Sequence, residues 1–328
     1  MDPERRSALL QVKLGALVRD AFGMTGGAPS PFPGGAALRV GNVLHVLFEE
    51  PPRSVGPALV IAQRDEAAEL RVLTVHGASR LAHQATAFRL PISVWQVDDA
   101  TLREAAPETP DDPAPPPDAA VLAAQMRDAG LDVVAEAGRL AGELRGLEVA
   151  RVRTAPPGEE PGLEVGVGQA DRELTAMLHG GLAPDAALAR VAEVVDAVRR
   201  PGAEPHPLNR LVPERWLRWV LRGEPDRVGA LELEPVPSPH PRTGLRERDV
   251  ACASASLLDG APAVVVASVG VDIDLVPLAA DARALVAPDA ELVLALPSRD
   301  VHRATTGLAS ALARPARVVP IEGDWRTR

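Results

Sequence analysis

The chain has one cysteine, a single lysine, no tyrosine, and four each of phenylalanine and tryptophan in 328 residues. The lone thiol, Cys252, excludes an internal disulfide and a cysteine-built zinc site, and makes the cytoplasm the default expected location. It lies in the small-residue stretch ACASAS and is expected to be a buried, inert thiol. No apolar run approaches the roughly 18 residues that a membrane span requires, so no membrane is expected as a partner. The N-terminal stretch lacks the shape of a signal peptide, because charges interrupt its apolar positions. Also missing are a P-loop, a G-x-S-x-G elbow, an H-E-x-x-H pair and any tight histidine cluster. The seven histidines are scattered: His45 inside a strand, His206 and His240 in proline-rich turns, and His179 at the end of a short helix.

The abundant residues are Ala, Arg, Pro, Val and Leu, the signature of a GC-rich, bacterial-type coding bias. Arginine richness of that origin is not a nucleic-acid signal. The net charge of −10 argues against duplex DNA as a partner, since such a protein needs a basic face to displace phosphate counterions.

Residues 1–37 read as an amphipathic helix and a loop. Asp2 is a cap, Pro3 suits the first turn, Leu10, Leu14, Leu17 and Ala21 form the stripe, and Gly23 is the stop. Two proline-rich stretches, 106–118 and 234–250, read as solvated linkers. They delimit three parts. Residues 38–105 alternate buried strands (VLHVLFE, ELRVLTV, ISVWQV) with helices (SVGPALVIAQRD, ASRLAHQATAF). Residues 251–328 repeat the order with AVVVASVGV, DLVPLAADARALV, ELVLALP, VHRATTGLASALA and ARVVPI. Each is expected to be a Rossmann-like βαβαβ unit with parallel strands and right-handed crossovers. The match extends to acids after the first strand (Glu49, Glu50; Asp272, Asp274), a proline in the first helix (Pro57, Pro277) and a Ser-Arg pair after the second strand (Ser79-Arg80; Ser298-Arg299). A duplication and simple convergence both explain it.

Residues 119–233 read as α+β. A helix (AAVLAAQMRDAG) precedes an antiparallel meander of LDVVAEA, GELRGLEVARV and GLEVGVG. A short helix DRELTAMLHGG and a long one from Pro184 follow. A last helix, PERWLRWVLRG, puts Trp216, Trp219 and Val220 on one face, as core rather than as a base-stacking platform. The fold class expected is therefore α/β, with two Rossmann-like βαβαβ units flanking a central α+β domain.

Over residues 119–180 the order helix, three strands, helix resembles the core of the PD-(D/E)xK nuclease superfamily. Gly142-Glu143-Leu144 resembles the Gly-Glu-hydrophobe that opens its second strand, and Glu164-Val165-Gly166 falls where its members carry Glu-x-Lys. The resemblance implies Mg²⁺ held by acids on adjacent strands and a lysine that orients the attacking water. Here the expected Asp is replaced by Arg145, Gly146 and Leu147, with Glu148 displaced, and Gly166 stands at the lysine position. Arginine supplies charge but not acid–base chemistry. The catalytic candidates are Glu143, Glu148 and Glu164, with Glu136 nearby; alternation along a strand equally makes them solvent-side residues. The expectation is a catalytically dead or repurposed core, with no cofactor unless Mg²⁺ serves an atypical nuclease. The turn Gly166-Val167-Gly168 stops short of a phosphate-binding G-x-G-x-x-G.

Ligands of open α/β sheets sit beyond the carboxyl ends of strands. Asp272, Asp274, Ser298, Arg299 and Asp300 take such positions and could hold a ribose, a phosphate or a metal; helix capping explains the same residues. Three functions remain open: a non-catalytic binding or scaffold protein with a protein partner, an atypical metal-dependent nuclease, and a module that senses a small nucleotide.

Overall fold

The computed structural model describes residues 2–110, 119–136, 138–153, 161–168, 172, 184–200, 202–240, 242 and 244–327. The protein is mixed α/β with three sheets. Its residues fall into two compact units, Met1–Pro110 with Asp272–Asp281 and His302–Ala316, and Asp111–Val271 with Ala282–Val301 and Arg317–Arg328. Among the described residues no helix is long and apolar enough to cross a membrane.

The first unit opens with α1 (Pro3–Phe22). The Asp2 carboxylate accepts from the Glu4 N–H, and Gly23 closes the helix at φ 63°, a left-handed stop that glycine adopts without strain. Its buried stripe is Leu14, Leu17 and Val18, with Ala21 exposed, so the apolar face is rotated slightly from the expected one. The sheet runs β1 (Ser30–Phe32), β2 (Gly35–Val40), β3 (Val43–Phe48), β4 (Glu69–Thr74), β5 (Ile92–Asp98) and β6 (Thr101–Glu104), in that spatial order. The three strands β3, β4 and β5 are parallel. They are linked through α2 (Gly56–Arg64) and α3 (Ala78–Ala85), the expected βαβαβ order. Antiparallel strands extend the sheet on both sides. Leu38, Leu47, Leu73 and Val97 meet α1 on one face. The alternate residues Leu44, Val46, Leu70 and Val72 are buried on the other, where α2 and α3 contact β4 and β5. Burial of each such aliphatic side chain contributes roughly 1.5–3 kcal/mol.

The expected loop within residues 1–37 instead contains β1 and the start of β2. Proline is tolerated because β1 is an edge strand. Gly35 has no room for a side chain: a Cβ there would lie 2.4 Å from the Leu47 carbonyl and the Phe32 ring.

In the second unit α4 (Ala120–Asp128) precedes a four-stranded sheet, β7 (Asp132–Glu136), β8 (Arg139–Leu144), β9 (Leu147–Arg153) and β10 (Gly162–Val165), ordered β10-β9-β8-β7 and antiparallel throughout. The stretch expected as one strand, GELRGLEVARV, is thus a hairpin. Arg145 (φ 50°) and Gly146 (φ 73°) form its two-residue turn, a left-handed pair of the kind that matches strand twist. A Cβ on Gly146 would lie 2.3 Å from the Arg215 main chain. The turn between β9 and β10, and the helix expected in DRELTAMLHGG with His179, lie outside the described residues except for Arg172.

Helices α5 (Pro184–Val198) and α6 (Pro213–Gly223) follow, then β11 (Ala230–Val236), β12 (Ala251–Leu257) and β13 (Pro262–Ala267). The chain continues through α7 (Leu275–Val286), β14 (Glu291–Pro297), α8 (Arg303–Ala311) and β15 (Arg317–Ile321). The third sheet is ordered β11-β12-β13-β14-β15, antiparallel across β11, β12 and β13 and parallel across β13, β14 and β15. The boundary expected at residue 234 falls inside β11, which carries Pro235 as an edge strand can. α6 lies on this sheet: Trp216, Leu217, Val220 and Leu221 pack with Ala253, Val265, Val293 and Trp325. The Trp216 and Trp325 rings meet edge to face at 5.6 Å.

The two mixed sheets share one plan. The order helix, three strands, helix, strand, helix, strand runs from α1 to β5 and again from α6 to β15. Register matches too: Val43 is level with Glu69, and Ala263 with Glu291, each at the start of the first parallel pair. The segment expected as one unit, 251–328, does not cluster as one. Residues 272–281 and 302–316 group with the first unit. Their reason is close packing on α2 and α3: a Cβ on Gly56 would lie 2.1 Å from the Ile273 carbonyl, Gly307 faces Gln63, and Gln84 bonds Asp281.

Candidate functional site

The three candidate glutamates occupy two different settings. Glu143, on β8, is 2% exposed. One carboxylate oxygen accepts from Arg215 Nη1 and the other from Arg218 Nη2, each at 2.6 Å. Arg215 also donates to Glu136 at 2.5 Å, and Arg218 to the Cys252 carbonyl at 3.2 Å. Burial alone would raise the Glu143 carboxyl, but Arg218 and Arg215 outweigh it and hold the group below the usual carboxylate range. Glu148, on β9, accepts from Arg151 at 2.8 Å and from Arg172 at 3.0 Å. Glu164, on β10, lies 3.9 Å from Arg172. At the position where the nuclease resemblance asks for lysine, Gly166 donates its N–H to the Val149 carbonyl at 2.8 Å.

A buried carboxylate whose two oxygens each meet a guanidinium does not fit Mg²⁺, which requires oxygen ligands in its shell. Among the described residues no three His, Cys, Asp or Glu side chains are grouped to hold a metal ion. The cation that accompanies Glu148 and Glu164 is Arg172, which stays protonated and cannot accept a proton from water.

These arginines are not among the site residues expected from the sequence. Their signal is the spacing in PERWLRWVLRG: Arg215, Arg218 and Arg222 recur at three and four residues, along one helix face. Arg215 and Arg218 engage β7 and β8. Arg222 pairs with Asp132 and stands 3.4 Å from Glu234. Trp216, Leu217 and Val220 are core, and Trp219 is partly buried beneath the Arg145 guanidinium, 5.2 Å from its ring. Cys252 is fully buried, and desolvation pushes its thiol well up, which leaves it inert as expected.

Asp272 and Asp274 belong to the first unit. Asp272 lies 3.4 Å from Arg53 and takes the Asp274 N–H at 2.9 Å. Asp274 accepts from the Ser54 hydroxyl at 2.5 Å and lies 3.7 Å from Arg53. Burial raises the Asp274 carboxyl, with the Ser54 bond opposing it. Ser54 Oγ in turn receives the Gly56 N–H at 2.9 Å, and Gln84 bridges the Val55 N–H to Asp281. The network joins the start of α2 to the start of α7.

Ser298, Arg299 and Asp300 belong to the second unit, in a short turn at the carboxyl end of β14. Asp300 accepts from the Gly270 N–H at 2.8 Å and lies 3.8 Å from Arg299. Ser298 and Arg299 line a cavity of about 330 Å³ whose other wall is Ile321, Gly323, Asp324 and Trp325, at and after the end of β15. Ser79 and Arg80, their counterparts in the first unit, sit within α3 instead, and Arg80 donates to the Pro52 carbonyl at 2.7 Å. His206, one of the scattered histidines, accepts the Leu208 N–H as a cap. Comparison with family models, with curated proteins and with solved structures finds no match to this chain.

Proposed function

We propose that this chain is a non-catalytic binding or scaffold protein of the cytoplasm, built on a nuclease-like central domain whose carboxylates have been taken over for structure. The observation that carries the reading is the Glu143–Arg215–Arg218 cluster. Glu143, a catalytic candidate in the Gly-Glu-hydrophobe that the resemblance rests on, serves instead to fasten α6 to the meander. Gly166 at the lysine position supports the same reading, since it offers no group to orient or deprotonate water. The Rossmann-like interpretation of the two βαβαβ segments belongs to this proposal as well, with a protein or a small nucleotide as partner.

The test is incubation of the purified chain with single- and double-stranded DNA and RNA in Mg²⁺ or Mn²⁺, beside a Glu164→Ala variant. No cleavage by either protein is the expected result. Cleavage that the Glu164→Ala change abolishes would overturn the reading in favour of an atypical nuclease.

A further inference from the structure

We propose that the cavity at the carboxyl ends of β14 and β15 is a binding site for a small phosphorylated molecule, held by Ser298, Arg299 and Arg326. Four observations meet there. The cavity, about 330 Å³, falls at the lower end of the roughly 300–1,000 Å³ typical of ligand pockets. It opens where two parallel strands end, the general location of ligands in α/β sheets. The Ser298 hydroxyl, in the cavity lining, is buried and has no hydrogen-bond partner, and the Nε of Arg326, whose guanidinium lies over the ring of the lining residue Trp325 at 4.9 Å, is in the same condition. Groups of this kind cost free energy unless something pairs with them. The fourth observation is charge. Arg299, 72% exposed at its side chain, stands within electrostatic reach of the half-buried Arg326.

Burial and the neighbouring Arg299 both lower the Arg326 guanidinium, with Asp324 and Asp300 opposing. An anion between two guanidiniums removes their mutual repulsion and gives each a charge-assisted hydrogen bond. Two aspartates stand beside them. Asp300 accepts the Gly270 N–H at 2.8 Å and Asp324 accepts the Arg326 N–H at 3.2 Å. Carboxylates so placed suit the hydroxyls of a polyol, while the arginines and Ser298 suit its phosphate. A bare metal cation is disfavoured by the two guanidiniums. Trp325, part of that wall, offers no stacking surface to a ligand, because it is 2% exposed, packed on Trp216 and covered by the Arg326 guanidinium 4.9 Å from its ring.

The experiment is titration of the full chain with inorganic phosphate, against sodium chloride at matched ionic strength, followed by calorimetry and by the melting temperature. Saturable binding that raises the melting temperature is expected. Arg299→Glu, a change at an exposed side chain, should leave the melting temperature without phosphate unchanged and weaken binding at least tenfold. Ser298→Ala should weaken it several-fold, and Arg299→Lys should recover part of the loss. Absence of a saturable phosphate effect beyond chloride, or a phosphate effect undiminished in Arg299→Glu, overturns the proposal. This outcome is separate from the nuclease assay: a chain that neither cuts nucleic acid nor responds to phosphate keeps the binding or scaffold reading and loses this site.

Discussion

Replacing Glu143 by alanine strands two buried arginines at once. In the native protein its oxygens accept from Arg215 and Arg218 at 2.6 Å each, and Arg215 and Arg218 are 4% exposed. After the change Arg215 keeps Glu136, but Arg218 keeps only the Cys252 carbonyl. Breaking a buried pair from one side costs about 3–5 kcal/mol, because the charge left behind is desolvated without compensation. A unit of this size loses roughly 2–4 °C of melting temperature per kcal/mol, so the variant should melt on the order of 10 °C below the parent. The quadruple change Glu136→Gln, Glu143→Leu, Arg215→Leu, Arg218→Leu removes the charges together, Glu136 included because Arg215 is its partner, and should recover much of the loss, since an apolar replacement of a whole buried cluster is often neutral or better.

The pH dependence gives a second handle on the same residue. The folded carboxyl lies below its unfolded value, so the unfolded chain binds the proton first as pH falls. The stabilisation is complete above the unfolded value, about 4.3, and is lost as pH drops through the folded one. Urea unfolding of parent and Glu143→Ala from pH 7 to pH 3 should therefore show a gap that narrows only in the acid range. A melting temperature for Glu143→Ala within a degree of the parent, or a quadruple variant as unstable as the single one, refutes the argument.

Three further outcomes follow from the geometry. Gly146→Ala should destabilise the chain by about 2 kcal/mol or more in urea titrations, because its φ of 73° and the Arg215 main chain, 2.3 Å from where the new methyl group would sit, leave no relaxed conformation; the open Gly41→Ala, at φ 61°, should cost less. His45 is buried, with both ring nitrogens unpartnered, and burial with help from Arg71 pushes the imidazole down from 6.5 to about 4, Glu69 opposing. Between those values only the unfolded chain is protonated, so stability should fall with pH by up to about 3 kcal/mol, and His45→Val should flatten that slope in melts from pH 7 to pH 4.5. Cys252 should resist iodoacetamide in the folded chain at pH 8 and react once the chain is unfolded, as mass spectrometry would show; rapid native labelling contradicts its burial.

The central strands are legible as mostly apolar runs: VLHVLF, ELRVLT, AVVVA and ELVLALP form β3, β4, β13 and β14. The less buried ISVWQV, LDVVAEA and ARVVPI are legible too, as β5, β7 and β15. Two edge strands are hidden by proline: β1 carries Pro31, and β11 carries Pro235, inside what reads as loop and linker. The hairpin of β8 and β9 is hidden for a different reason. Arg145 is an unusual residue for positive φ, and a two-residue Arg-Gly turn between Leu144 and Leu147 leaves no proline or Asn-Gly signal to split the run. At the candidate site the carboxylates are visible but their partners are not. Arg215 and Arg218 lie 72 and 75 residues after Glu143, and no local pattern connects groups so far apart. Ser298 and Arg299 can be placed because strand ends follow from strand order; Arg326 cannot, since it comes from a turn beyond β15.

The two copies of the shared plan differ most in the helix that opens them, and that difference explains why arginine is used. α1 presents an apolar face, Leu14, Leu17, Val18 and Phe22, to its sheet, with Phe22 edge to face on Trp95 at 5.0 Å. α6 must serve two sheets. Its tryptophan and leucine side faces β12 and β13, while its arginine side faces β7 and β8. A lysine at position 215 could not hold Glu136 and Glu143 together, because that bridge uses both terminal nitrogens of one planar guanidinium. Arginine is common throughout this chain, but abundance alone does not place three of them on one face of one helix opposite Glu136, Glu143 and Asp132. The charge cluster therefore belongs to the assembly of the second unit: it joins the meander to the β11–β15 sheet through α6.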